Sequence, residues 1–325
     1  MKRFVLRRAL GLVLTVWIVV TTAFLMMRVV PGGPFSAERR LPAAVLANVE
    51  ARYHLDWPIW RQYLQYLGPF NLDSQGLLGD RERPFGGVLA GDLGPSFRYR
   101  DYTVNQILGE SLPLSLALGS LALAWAVAFG TTFGILAAAR RGTKLDLSLR
   151  LVAALGIALP SFVIAGLLVL VFSLALGWSP VAGSSTFAHF ILPSLALGAP
   201  VAAYVARLVR TGLIESLSQD YVRTAVAKGL PYSTVILRHA ARGGLLPAVS
   251  YLGPAAAGVL TGSLVIERIF AIPGTGSHFV ASALSRDYTL ALGVTIVYSV
   301  LIYSLNALVD FAYTRLDPRI ALEEL

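Results

Sequence analysis

Long apolar runs separated by short polar segments dominate the chain and predict membrane-spanning helices. Each run holds about 20 or more largely apolar residues, the length that an α-helix needs to cross the hydrocarbon core of a bilayer. The pattern therefore predicts an all-α membrane protein with six transmembrane helices. The predicted spans are residues 9–29, 112–139, 148–177, 189–214, 245–266 and 289–313.

The first apolar run follows a basic N-terminus and so has the outline of a secretory signal peptide. At about 19 residues it exceeds the 7–15 residues of the apolar region in such a peptide. No convincing cleavage site precedes Pro31-Gly-Gly-Pro34. We therefore expect this run to be an uncleaved first span.

In the termini and short loops, lysine and arginine fall almost entirely on one side of the predicted spans. Sixteen lie before span one, between spans two and three, around the loop after span four, and after span six. The short loops on the opposite side hold none and two. Because short loops rich in Lys and Arg stay in the cytoplasm, we predict a multi-pass protein of the cell inner (plasma) membrane with both termini cytoplasmic.

The segment between the first two spans is long and is predicted to be external. Residues 28–110 carry nine Arg and nine Asp or Glu, so the segment is neutral. Its middle, residues 41–67, has apolar positions at helical spacing together with Trp57 and Trp60. That pattern predicts amphipathic helices lying against the outer membrane surface.

These features give three predicted regions. Residues 1–30 form the cytoplasmic N-terminus and first span, and residues 31–110 form the external insert. Residues 111–325 form a five-helix transmembrane core, which includes a cytoplasmic loop at 216–243.

Composition supports the membrane assignment. The chain is 56% hydrophobic and 14% charged, against about 25% charged residues in soluble domains. The net charge of +9 is explained by orientation in the membrane rather than by nucleic acid, because the cations lie between apolar spans. Cysteine is absent, which excludes disulfides and thiolate metal sites.

The segment 218–247 is a charged helix–break–helix in an otherwise apolar region. Ser218 is the predicted N-cap, and Asp220 lies in the first turn, where a carboxylate favours the positive helix end. Gly229 is predicted at the left-handed position that ends the helix. A second short helix is predicted over 233–242.

Two interpretations of this element are open. Its cations alone would suit a loop resting on anionic lipid headgroups. However, the small residues Ala225, Ala227 and Gly229 interleave with Arg223 and Lys228. Small side chains permit close approach of a partner backbone, which favours a soluble protein partner and a role in coupling a transporter to a motor on other chains.

Chemistry within the chain is not predicted. The turn Pro273-Gly-Thr-Gly-Ser277 lacks the Gly-Lys-Ser/Thr ending of a phosphate-binding loop. No local metal motif or hydrolase motif appears, and the histidines are scattered in sequence. They are His54, His189, His239 and His278.

Several motifs, in order along nearly the whole chain, resemble the membrane subunits of binding-protein-dependent ATP-binding-cassette importers. Ala225-x-Ala-Lys-Gly229 followed by Pro247 resembles their signature loop. The motifs that resemble the dipeptide/oligopeptide branch are Pro31-Gly-Gly-Pro34, Gly91-Asp-Leu-Gly-Pro-Ser96, Glu267-x-Ile-Phe-x-x-Pro-Gly-x-Gly276, Arg286-Asp-Tyr288 and Leu316-Asp-Pro-Arg319. Segments 34–39, 47–55 and 95–102 most resemble the first membrane subunit of oligopeptide permeases.

Two features depart from the general loop. It begins Glu-Ala-Ala, whereas this chain has Arg223-Thr224-Ala225, so a glutamate contact is not carried over. The spacing from Gly229 to Pro247 is also longer than in the shortest versions. Both features resemble the peptide branch.

The resemblance implies a type I importer permease fold and an assembly of several proteins. Its other members would be a homologous second permease, two cytosolic ATPases and a periplasmic or lipoprotein peptide-binding protein. ATP and magnesium would bind to the ATPases, so no cofactor is expected in this chain. The implied ATPase-coupling residues are Asp220, Tyr221, Arg223, Thr224, Ala225, Ala227, Lys228, Gly229, Arg238 and His239. Oligopeptides are the implied substrate, with a nickel chelate or an antibiotic peptide left open.

Two further groups of residues are candidates for transport. A tight turn near the outer mouth is predicted at Glu267, Pro273, Gly274 and Gly276. Its role would be an external gate, a contact for the binding protein, or structure alone. A weakly selective translocation path would use hydroxyl groups, although simple interhelical hydrogen bonds are the alternative. The candidates for the path are Ser161, Thr261, Ser263, Tyr298 and Ser299.

An ion-coupled secondary transporter is the alternative function. Such carriers place ionisable residues inside the membrane, whereas the mid-depths of all six predicted spans lack Asp, Glu, Lys and Arg. A scaffold without a translocation path is disfavoured by the many glycines and prolines within the spans.

Overall fold

The computed structural model describes residues 2–29, 54–68, 87–99 and 101–316 of the 325-residue chain. Across those ranges the secondary structure is helical, apart from one isolated bridge between Pro95 and Thr103. The helices are α1 Lys2–Val29, α2 Ile59–Leu67, α3 Val104–Ala139, α4 Lys144–Ala158, α5 Ser161–Ala175, α6 Ala188–Leu217, α7 Asp220–Ala227, α8 Tyr232–Gly244, α9 Leu246–Leu260, α10 Leu264–Ile269, α11 Thr275–Ser285 and α12 Tyr288–Leu316.

The predicted all-α membrane architecture is confirmed. Four helices are long and apolar enough to cross a bilayer alone, namely α1 from Leu6, α3, α6 and α12 up to Leu308. The pairs α4–α5 and α8–α9 are bent by 111° and 54°, and the total reaches six if each bent pair is one span. These counts refer to the described ranges only.

Two of the predicted spans are interrupted in the structure. The run 148–177 is divided at Leu159, which has the extended φ of −83° and ψ of 128°, because the ring of Pro160 disfavours helical geometry in the preceding residue. The run 245–266 ends as a helix at Leu260, and Gly262 follows with φ of +87°. Hydropathy detects the apolar lengths but not these breaks.

One compact unit comprises residues 114–277 and 301–325, of which the second part is described to Leu316. Helix α6 lies at its centre, where Val205, Val209 and Leu213 are completely buried. Small residues of α3 permit the close packing, since a Cβ atom on Gly134 would lie 2.6 Å from Cβ of Val209. The core of this unit continues into the charged helix pair through Val222 of α7.

The other compact unit lies within residues 2–113 and 278–300, of which 2–29, 54–68, 87–99, 101–113 and 278–300 are described. Phe24 of α1 is fully buried in its apolar core, together with Val104 at the start of α3 and Leu290 of α12. Helix α2 packs on the C-terminal half of α1, where Tyr63 and Thr21 share a hydrogen bond of 2.7 Å between hydroxyl oxygens.

Part of the predicted external insert lies outside the described residues, including positions 31–53 and 69–86. A helix is confirmed at α2 within the predicted helical stretch. The motifs at Pro31–Pro34 and beyond Leu316, and the segment 34–39, also lie outside the described ranges.

Candidate functional sites

Helix α7 is a short amphipathic helix that starts three residues after the end of α6. Its first turn contains Asp220, as predicted. The prediction of Ser218 as the N-cap is wrong. Ser218 is the C-cap of α6, with φ of −85° and ψ of −8°. Its hydroxyl donates to the carbonyl oxygen of Glu215 at 2.6 Å. Gln219 holds the N-cap position instead, without a side-chain capping bond, because α6 extends to Leu217.

The break between α7 and α8 follows the predicted glycine. Gly229 has φ of +74°, and its N–H donates to the carbonyl oxygen of Val226 at 2.9 Å. Pro231 then precedes α8 with φ of −57° and ψ of 141°. Helix α8 is longer than the predicted 233–242 and contains a π-helical stretch over Val235–Ala240.

The helix pair is attached to α6 by both apolar and polar contacts. Val222 and Ala225, three residues apart on α7, are buried against the core that contains Leu213. The hydroxyl of Ser216 donates to the carbonyl oxygen of Ala240 at 2.9 Å and lies 2.7 Å from the hydroxyl of Tyr221. Together these contacts tie α7 and α8 to the end of α6.

The outer surface of the pair combines exposed apolar side chains with cations. Tyr232 is 54% exposed and Leu237 is 62% exposed. Arg223 has a side-chain exposure of 72% and lies 3.5 Å from Asp220. Large apolar groups beside arginine and tyrosine on a solvated element are typical of a protein contact surface.

The structure brings the ten predicted coupling residues onto this pair but does not expose them all. Ala225 packs into the core, since it lies on the inner face with Val222. His239 is half-buried. The exposed members are Asp220, Tyr221, Arg223, Thr224, Ala227, Lys228, Gly229 and Arg238.

Glu267 is a fully buried carboxylate in the predicted outer turn. The hydroxyl of Ser115 donates to Oε1 at 2.8 Å, and the N–H of Ser277 donates to Oε2 at 3.0 Å. The N–H of Thr275 donates to the Ser115 hydroxyl at 2.9 Å. Burial raises the pKa of Glu267, and these hydrogen bonds offset part of that effect. The carboxylate therefore joins α10, α3 and the start of α11.

Glycine is required around this carboxylate. A Cβ atom on Gly274 would overlap both Glu267 and the hydroxyl of Ser115, and one on Gly276 would lie 3.0 Å from Oε2 of Glu267. Of the four residues predicted for this turn, Pro273 alone is exposed. A gating or receptor-binding role of the turn stays a prediction.

The carboxylate of Asp287 connects the start of α12 to the segment after Pro95. Asp287 was not predicted as a site residue. It is buried at the N-terminus of α12, where it accepts a hydrogen bond from the N–H of Leu290 at 3.2 Å. It also accepts bonds from the N–H groups of Phe97 and Arg98, at 3.1 and 3.2 Å, and from the hydroxyl of Ser96. An aspartate directly before a predicted helix was the available signal.

Two of the predicted path hydroxyls donate to carbonyl oxygens of their own helices. Thr261 donates to the carbonyl oxygen of Ala257 at 3.1 Å, and Ser299 donates to that of Thr295 at 2.8 Å. Ser263 is the N-cap of α10. Ser161 begins α5, and the ring of Tyr298 lies 6.2 Å from that of Phe279. Their role as a path stays a prediction.

Among the described residues, no three His, Cys, Asp or Glu side chains are grouped so that they could hold a metal ion.

Comparison with known proteins gives matches over nearly the whole sequence. Residues 130–322 match the family described as binding-protein-dependent transport system inner membrane component, and residues 1–119 match the family of its N-terminal region. The oligopeptide transport system permease protein OppB of Escherichia coli (strain K12) is 44% identical over 322 residues, covering 98% of this chain and 99% of that protein. OppB of Haemophilus influenzae is 43% identical with the same coverage. The dipeptide transport system permease protein DppB of Bacillus subtilis (strain 168) is 40% identical over 324 residues, 100% of this chain and 99% of that protein.

Proposed function

This chain belongs to the family of binding-protein-dependent transport system inner membrane components, and from that premise we propose that it forms part of the translocation path for oligopeptides in an ATP-driven importer. The peptides would be delivered by a soluble or lipid-anchored receptor outside the membrane. A homologous second permease and two cytosolic ATPases would complete the assembly.

The observation that carries this proposal is the exposed surface of α7 and α8. It projects Tyr232, Leu237 and Arg223 away from the core, while Val222 holds the pair to α6. Covering a solvent-exposed apolar side chain with a partner is favourable by about 25 cal/mol per Å² of apolar area buried. An ATPase is the partner that fits a transport subunit with no nucleotide-binding motif of its own.

Rigid attachment explains how such a contact would do mechanical work. The hydrogen bonds and apolar contacts of Ser216 and Val222 bind the pair to α6, so displacement of α7 is passed to a membrane helix. ATP binding would favour one membrane conformation to the extent that the ATPases bind that conformation more tightly. The family match gives no support to the ion-coupled alternative.

The substrate class follows from the relatives. Proteins named for oligopeptide transport and for dipeptide transport both match across the full chain. Peptides vary in charge, and a path without fixed intramembrane charges would accept them with little selection. We propose oligopeptides as the principal substrate class.

The proposed orientation places both termini and the α7–α8 pair in the cytoplasm. Lys/Arg asymmetry supports it, with sixteen such residues on one side of the predicted spans. The external insert and the Glu267 turn would then face the receptor.

Reversing the charges of the exposed pair tests the function. The double substitution Arg223→Glu and Lys228→Glu should abolish peptide uptake by intact cells, while the amount of membrane-inserted chain is unchanged. Arg141→Glu, an exposed charge outside the pair, is the matched control and should transport normally. Normal uptake by the double variant would overturn the coupling role.

A further inference from the structure

A cavity of about 320 Å³ lies between α3, α4 and α6, near the ends of these helices that adjoin Lys144 and the α7–α8 pair. Its wall is apolar and includes Phe133, Ala153, Ala154 and Ile157. Its rim carries three arginines, Arg150, Arg207 and Arg210. The cavity thus has a cationic mouth and an apolar interior.

The mouth carries a net positive charge. Arg210 is paired with Asp146, with its Nε 2.7 Å from Oδ1 and its second contact at 2.9 Å, and Arg150 approaches the same carboxylate at 3.5 Å. Arg207 has no carboxylate within 4.0 Å among the described residues; its guanidinium lies 5.0 Å from the ring centroid of Tyr204. Three arginines against the one carboxylate of Asp146 leave about two positive charges uncompensated.

The exposed apolar side chains next to the cavity indicate that it faces lipid rather than water. Leu151, Val152 and Leu155 of α4 are exposed by 57%, 56% and 59%. These side chains beside the cavity are stable in contact with acyl chains but not with water. From Arg150 to Ile157 the cavity runs seven residues along α4, about 10 Å at 1.5 Å per residue, which is the depth from a headgroup into the acyl region.

From this combination we propose that the cavity binds one anionic phospholipid. Its phosphate contacts Arg150 and Arg207 at the rim, and the start of an acyl chain lies against Phe133 and Ile157. Arg210 is hydrogen-bonded to Asp146 and has a structural role at the rim. Basic pockets between membrane helices are suited to anionic headgroups, because the desolvated phosphate gains charge-assisted hydrogen bonds while its chains stay in hydrocarbon.

The site is independent of the coupling proposal. It requires only that α3, α4 and α6 lie in a bilayer, and none of its residues belongs to α7 or α8. A lipid bound there would brace α4 against α3 and α6, the helices that flank the cavity.

Native mass spectrometry of the full-length chain, purified with its co-purifying subunits, tests the proposal. Phosphatidylglycerol and phosphatidylcholine with identical dioleoyl chains are titrated in parallel. We expect one phosphatidylglycerol to be retained at least about tenfold more tightly than phosphatidylcholine. Arg150→Gln with Arg207→Gln should weaken phosphatidylglycerol binding about 30-fold, since each basic residue near an anionic headgroup is worth about a factor of five.

Two further variants distinguish a built lipid site from general attraction of anions to a basic surface. Arg141→Gln removes an exposed cation that does not line the cavity, and it should leave phosphatidylglycerol binding unchanged. Ala154→Leu keeps every charge and fills the apolar wall, and it should weaken binding of the lipid by about tenfold. Glycerol phosphate, which has the headgroup chemistry without acyl chains, should show no measurable competition.

Photo-crosslinking fixes the location in case a variant fails to assemble. Phosphatidylglycerol with a diazirine in one acyl chain should label peptides from α3 and α4 of the unmodified protein, which carry Phe133 and Ile157. Equal retention of the two lipids, loss of binding in Arg141→Gln to the same extent as in the double variant, or labelling confined to other helices would overturn the proposal. Protection of this face by another subunit, seen as no lipid label in the assembled complex, would overturn it as well.

Discussion

The backbones of Gly212 in α6 and Gly244 at the end of α8 are in direct contact. A Cβ atom on Gly212 would collide with the carbonyl oxygen of Gly244, and one on Gly244 would lie 2.8 Å from Cα of Leu213. Neither atom can yield without moving a helix. The two helices therefore pack backbone to backbone, and we expect α8 to move together with α6.

Substitution of this contact should uncouple transport. Gly212→Val forces the helices apart, because the collision is with backbone rather than with a flexible side chain. We expect peptide uptake to fall at least about tenfold while ATP hydrolysis by the purified complex persists, together with a loss of stability of about 1–3 kcal/mol.

The control for this substitution is Gly258→Ala in α9, where an added Cβ meets nothing within 4 Å. It should leave both uptake and the melting temperature unchanged. Uptake in Gly212→Val that remains equal to that of the parent would show that the close contact is not needed for coupling.

The turn at Glu267 should behave as a single unit in a double-mutant cycle. Gly274→Ala places a methyl group on the Glu267 carboxylate and should destabilise the protein by about 2 kcal/mol. In a background of Glu267→Ala the same change should cost less, because the carboxylate is gone and only the Ser115 hydroxyl remains close to the added methyl group. Thermal unfolding of the detergent-purified complex measures the coupling energy, and strictly additive effects would contradict this close packing.

A conservative change at the same site should separate charge from hydrogen bonding. Glu267→Gln retains one acceptor oxygen, which can accept the hydrogen bond of either Ser115 or Ser277, and burial already raises the pKa of this carboxyl. We expect Glu267→Gln to be markedly more stable than Glu267→Ala when both are melted under the same conditions. Equal melting temperatures would show that the buried hydrogen bonds contribute nothing.

The pair of Asp146 and Arg210 should be a strong contributor to stability. Asp146 is 1% exposed and accepts from the N–H of Gly142 at 3.0 Å as well as from Arg210. Asp146→Ala leaves a partly buried guanidinium without its partner, for which a loss of about 3 kcal/mol is expected. The matched comparison is Asp220→Ala. Removing this exposed carboxylate should have no measurable effect on the unfolding midpoint.

Asp287 should determine the order of the segment that follows Pro95. Asp287→Ala removes the acceptor for the N–H groups of Phe97 and Arg98, so these amides should exchange with solvent at least about tenfold faster. Hydrogen exchange followed by mass spectrometry of the 95–102 peptide gives the rate. An unchanged rate would mean that other contacts hold this segment.

Much of the fold follows from local signals in the sequence. Apolar runs predicted the long helices α1, α3, α6 and α12, and the glycine after Lys228 marked the end of α7 because only a left-handed residue fits there. These features depend on one helix at a time. The first-turn position of Asp220 was predictable for the same reason.

Features that depend on neighbouring helices were not predictable from one sequence. Ser218 has good N-cap chemistry, but α6 extends to Leu217 and so makes Ser218 its C-cap. Ala225 has the size of a contact residue, yet its spacing from Val222 turns it inward. The burial of Glu267 depends on Ser115, which is 152 residues away in sequence. In each case tertiary packing determined the outcome.

A single introduced thiol gives the sharpest test of coupling, because cysteine is absent from this chain. Leu237→Cys, at a side chain that is 62% exposed on α8, and Leu174→Cys, at one that is 67% exposed at the end of α5, each give a unique thiol. After treatment of inverted membrane vesicles with a short thiol-to-amine cross-linker, we expect a covalent adduct of the chain with an ATPase for Leu237→Cys and none for Leu174→Cys. Labelling of the Leu237→Cys thiol by an impermeant reagent added outside intact cells, or an adduct with lipid alone, would contradict the coupling role of α7 and α8.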